Sequence, residues 1–98
     1  MVYLSYIEKL VFEYDANKSK VNLEKHGVGF EDIQKLWDGD VLVFESKNKN
    51  EKRLLVVGMV GDKHWTVVVT VRGIQRNIIR IISARRSRYE EKELYQKS

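Results

Sequence analysis

Three β-rich runs in the middle of the chain, Val41 to Glu45, Arg53 to Val60 and His64 to Arg72, are separated only by Ser46 to Lys52 and Gly61-Asp62-Lys63. A parallel pair of strands needs a crossover of roughly a dozen residues or more, so connections this short restrict the three runs to an antiparallel meander. A fourth run, Asn77 to Ala84, is apolar on both faces and suits a central or well-covered strand.

Helical signals lie outside this block. Asp15 is a good N-cap for a helix over Ala16 to His26, and Gly27 is a natural residue to end it. A second helix is predicted where Phe30, Ile33, Leu36 and Trp37 fall on one face, and Asp38-Gly39 stops it. After the strands, Ser87-Arg88-Tyr89-Glu90 reads as a capping box opening a C-terminal helix. The predicted fold is therefore α+β: a small antiparallel sheet of about four strands, two N-terminal helices and one C-terminal helix, with the helices on one face and the other face open. In the third run Trp65, Val67, Val69 and Val71 share one side, while His64, Thr66, Val68, Thr70 and Arg72 share a wetter one.

A length of 98 residues suits one domain spanning residues 1–98, in which residues 1–10 form an N-terminal extension of unassigned role. With 43% hydrophobic residues the chain has the material for a core. The absence of cysteine excludes disulfides, thiolate metal sites and thiol catalysis, and a reducing, cytoplasmic location is expected. Leu54 to Val60 is far shorter than the ~20 apolar residues of a spanning helix, and Glu8 and Lys9 break the apolar N-terminus. Neither a membrane span nor a signal peptide is expected.

Charge is distributed unevenly. Residues 1–71 carry 10 Lys+Arg against 11 Asp+Glu, whereas residues 72–98 carry 8 against 3. Six of the seven arginines lie between Arg72 and Arg88, a stretch of seventeen residues without Asp or Glu. A guanidinium fork grips a phosphate through two parallel hydrogen bonds and keeps its charge at any working pH.

Three segments, Phe12-Glu13-Tyr14-Asp15, then Asn22 to Phe30 (NLEKHGVGF), then Arg80 to Arg86 (RIISARR), resemble in that order the signature segments of the BrnT toxins. These are ribonuclease toxins of bacterial type II toxin-antitoxin modules, with a fold related to RelE and ParE. The resemblance runs over about residues 11 to 97, with Tyr14 and Ala16 where the family usually has tryptophan and proline. It implies a RelE-like fold, an RNA substrate, and a BrnA-like antitoxin partner with a ribbon-helix-helix DNA-binding domain.

If RNA is the substrate, the lack of cysteine and of any His or carboxylate cluster at metal-ligand spacing points to metal-free cleavage, without cofactor, by attack of the ribose 2′-hydroxyl. Arg72, Arg80 and Arg85 are the candidates for a phosphate clamp. Arg80 interrupts an apolar strand, on the face expected to hold Ile78, Ile82 and Ala84, where a charge needs a ligand or a carboxylate such as Glu45. His26 is the candidate general acid, or else a residue that caps its helix. Lys25, Arg86, Arg88 and Tyr89 are candidate RNA contacts, and Glu45 and His64 candidate bases or arginine-orienting groups. Trp37 and Trp65 are expected in the core. Two other functions stay open, a non-catalytic nucleic-acid binder and a ParE-like toxin acting on a protein, because the same charge attracts an acidic protein surface.

Overall fold

The four predicted strands form, and a fifth joins them. In the computed structural model, which describes residues 10–47 and 52–98, the order is β1 (Val11–Glu13), α1 (Ala16–His26), α2 (Phe30–Ile33) running into a 3₁₀ turn (Gln34–Asp38), β2 (Leu42–Glu45), β3 (Leu54–Val60), β4 (Lys63–Arg72), β5 (Ile78–Arg86) and α3 (Tyr89–Lys97). The N-terminal extension lies, but for Leu10, outside the described residues. Strands β2 to β5 make the expected antiparallel meander, and β1 lies parallel along the outer edge of β5, giving the order β1-β5-β4-β3-β2. At three residues β1 is too short for a periodic signal.

The first helix is bounded as its ends dictate. One Asp15 carboxylate oxygen accepts the backbone N–H groups of Asn17 and Lys18, at 2.8 and 3.1 Å. Gly27 takes the left-handed conformation, φ 82°, that closes the last turn. The following turn then drives Phe30, Ile33 and Leu36 into the interior, where they meet Val56, Trp65, Val67, Val69, Ile79, Ile81 and Ala84. Trp65 is buried as expected, whereas Trp37 is half-buried, edge-on to Phe12 at 5.0 Å. Gly58 lets the 3₁₀ turn approach the sheet: a Cβ there would sit 2.8 Å from Leu36 Cγ.

Alternation breaks once in the sheet, at a bulge in β5. Val69 pairs with Ile81 and Val68 with Ser83, so Ile82 is an extra residue without a partner on β4. Ala84 therefore points into the core with Ile79 and Ile81, and Arg80 does not share its face. Strict alternation put Ala84 on the wrong side; Arg80 instead faces the same side as Ile78, Ser83 and Arg85.

The second face is not wholly open, because α3 packs on it. Thr66, on the side opposite Trp65 and Val67, is fully buried and donates to Glu91 Oε1 at 2.9 Å, and its hydroxyl also meets that of Ser87 at 2.8 Å. Arg85 grips both oxygens of the same carboxylate, at 2.8 and 2.9 Å. Ser87 is thus not the cap; the helix starts one residue later, with the Arg88 backbone N–H donating to Glu91 Oε1 at 2.7 Å. Polar side chains on a wet strand face dock the C-terminal helix, which an apolar-face criterion does not anticipate.

Burial alone would raise the Glu91 pKa, but the Arg85 guanidinium, the Arg88 N–H and the Thr66 hydroxyl together lower it to about 2. The folded-state value lies below the unfolded one, so the stabilisation is complete above about pH 4.5 and is lost as the pH falls toward 2. Glu91→Gln is expected to cost about 3 kcal/mol at neutral pH in denaturant titration, and the difference from wild type should shrink over that acid range. Gly58→Ala is expected to cost about 1–3 kcal/mol through its collision with the buried Leu36, read in the same titration.

Candidate nucleic-acid interface

The arginine-rich segment divides by strand parity. Arg72, Arg80 and Arg85 share the face of Val68 and Thr70, whereas Arg86 lies opposite, 5.6 Å from the Trp65 ring, with Nε donating to the His64 carbonyl at 3.3 Å. The cluster seen in sequence is therefore not one patch.

Arg80 is the central member. It sits half-buried in β5 with Glu13 opposite on β1 and Thr70 opposite on β4, so the three side chains form a row across the sheet. Among the described residues no carboxylate comes within ion-pair distance of its guanidinium. The Glu45 pairing considered from sequence is not formed: Glu45 ends β2 opposite Leu54, on the side facing α1 and α2, and two strands separate β2 from β5. Asp15 is close enough to feel the Arg80 charge; its carboxyl is held below the usual range mainly by the Lys18 and Asn17 backbone N–H groups, with Lys18 and Arg80 adding smaller Coulombic contributions.

Arg72 stands one register step away at the end of β4, 3.8 Å from Glu13 Oε1, with both side chains substantially exposed. Such a pair is weak and can be exchanged for a ligand. Arg85 differs. Its Nη1 and Nη2 both donate to the Glu91 carboxylate, so it anchors α3. Arg88 caps α3, and Tyr89 in its first turn is 64% exposed, outside the core. His64 packs edge-on to Tyr95 at 5.7 Å, and the Tyr95 hydroxyl donates to the Asp40 carbonyl at 2.9 Å.

Beyond the end of β1, α1 takes over the edge of β5. Asn22 Oδ1 accepts the Ala84 N–H at 3.1 Å while Nδ2 donates to the Val28 carbonyl at 2.8 Å. Between this helix and the bulge opens a cleft of about 320 Å³, lined by Asn17, Lys18, Lys25, His26, Ile82 and Ser83 among others. Helical rise places His26 about 16 Å along α1 from Asp15. The imidazole lines this cleft with Lys18, Lys25 and Ser83.

Glu13, Thr70, Asn22 and Glu91 escaped the sequence reading as site or docking residues. Glu13 and Asn22 stood in the first two signature segments, and nothing local marked Thr70 or Glu91. Among the described residues no three His, Asp or Glu side chains gather to hold a metal ion, and no helix is long and apolar enough to cross a membrane.

No curated protein gives a significant match to the chain. A family model described as "Ribonuclease toxin, BrnT, of type II toxin-antitoxin system" matches residues 14–91, from the residue after β1 through the first turn of α3. With α1, α2, the meander and the arginine-bearing last strand inside the match, the chain belongs to the BrnT family of type II toxin-antitoxin systems.

Proposed function

We propose that this protein is an endoribonuclease toxin that binds a scissile phosphate on the open part of the sheet, with Arg80 and Arg72 as its cations. The observation that carries this reading is Arg80 itself, a half-buried guanidinium in an apolar strand with no ion-pair partner among the described residues. Such a group gains most from an anionic ligand that replaces lost water through paired hydrogen bonds. Membership of a family described as ribonuclease toxins makes RNA the anion of choice.

On this reading cleavage is metal-independent: the 2′-hydroxyl attacks the phosphorus, and the guanidinium groups stabilise the charge that builds on the phosphoryl oxygens. The cleft with Lys18, Lys25 and His26 receives the neighbouring strand, and Arg88 and Tyr89 extend the rim where α3 begins. Arg85 contributes by fixing that helix. The partner is a BrnA-like antitoxin with a ribbon-helix-helix domain, which silences the toxin by covering the arginine-bearing face, and the RNA substrate sets its place of action in the cytoplasm.

Purified toxin should cut a long RNA in excess chelator, leaving 2′,3′-cyclic phosphate and 5′-hydroxyl ends; intact RNA with folded toxin would overturn the reading. Arg80→Ala should slow cleavage by about 10²–10³, and should relieve the growth arrest caused by expressing the toxin alone. Lys25→Ala should instead weaken single-strand binding and reduce the slope of log affinity against log salt by about 0.7, as measured by titration at several salt concentrations.

A further inference from the structure

Two buried polar atoms without a hydrogen bond flank Arg80. Glu13 Oε1 and Thr70 Oγ1 are both buried without a hydrogen bond, and they belong to the residues directly opposite Arg80 on β1 and β4. Buried polar atoms in folded proteins are satisfied in about nine cases out of ten. The third such atom among the described residues, Trp37 Nε1, is on the helix side of the sheet with Phe12. Two orphans on either side of one unpaired guanidinium mark a place shaped for a polar ligand.

The two residues differ in what they offer. Arg72 Nη1, 3.8 Å from Glu13 Oε1, is too far to hydrogen-bond, so the carboxylate keeps its lone pairs. Oε1 is buried, but the Glu13 side chain as a whole is 39% accessible, so a ligand approaches the carboxylate from the side of its other oxygen. Thr70 carries a hydroxyl that both donates and accepts. Neighbouring strands lie about 4.8 Å apart, so the row spans the size of one ribose with its 3′-phosphate. We infer that Glu13 is the general base of RNA cleavage at this site, with Thr70 holding the attacking nucleotide beside it. This rests on the ribonuclease reading above. Glu13 also lies just outside the span matched by the family model.

Glu13 takes the proton of the 2′-hydroxyl, the 2′-oxygen bonds to phosphorus, and the bond from phosphorus to the 5′-oxygen breaks. The departing oxygen takes a proton from water. A 2′,3′-cyclic phosphate and a 5′-hydroxyl result, and Glu13 returns its proton to solvent. Throughout, Arg80 and Arg72 face the non-bridging oxygens.

Glu13→Gln preserves shape and removes the proton acceptor. Cleavage by this variant is expected to fall by about 10²–10⁴, while affinity for a 2′-deoxy, uncleavable RNA stays within about threefold, and formate added to Glu13→Ala should restore part of the rate. Thr70→Val removes an unsatisfied buried hydroxyl, so it should leave stability unchanged or raised while slowing cleavage about tenfold. If wild-type toxin does not cut RNA, the ribonuclease reading fails and Glu13 with it. If wild type cuts and folded Glu13→Gln cuts within threefold of it, only the inference about Glu13 fails. Should Glu13→Gln not fold, the wild-type pH–rate profile decides: an acidic limb reporting a carboxylate base supports the inference, and a rate that stays level into acid overturns it.

Discussion

Strand β5 has an outer edge that must be satisfied along its whole length, and much of the architecture follows from how that is done. An unpaired strand edge exposes a row of backbone donors and acceptors. The first part of this edge pairs with β1, three residues in parallel register with Val11 opposite Ile78. The later part is met by a side chain: Asn22 of α1 accepts the Ala84 N–H and ties the same amide to the Val28 carbonyl. The bulge at Ile82 lies between these two solutions. It turns Ala84 inward to seal the core beneath α2 and leaves Ser83 at the mouth of the cleft that holds Lys25 and His26.

Local chemistry made most of the elements legible in the sequence. Asp15 and Gly27 bound α1 because a cap needs a short acceptor and a residue tolerant of positive φ. The meander was legible because its connections exclude any other pairing. What escaped depends on pairing at a distance. β1 is a strand only because β5 offers it an edge, and the bulge is set by core packing, so neither leaves a periodic trace. The side of the sheet taken by α3 is decided by Thr66, Ser87, Arg85 and Glu91, polar residues that a hydrophobic pattern ignores.

The candidate site was legible in residue type and less so in arrangement. Arginine enrichment pointed to β5, but parity sends Arg86 to Trp65, and the capping carboxylate of α3 occupies Arg85. A count of charges overstates what a substrate can use, since a guanidinium held by two hydrogen bonds to a buried carboxylate is part of the scaffold. Arg80 and Arg72 stay closer to an unspent state, one with no described partner and the other with a long, exposed contact.

The row that joins Glu13 to Arg80 unites the first described strand with the last, 67 positions apart in sequence. Contacts this distant form only after the intervening chain has been made and gathered. A polypeptide still emerging during translation, with β5 inside the exit tunnel, carries the acid without its guanidinium neighbour. The row therefore assembles only after β5 has left the tunnel, and until then a nascent chain holds Glu13 apart from Arg80.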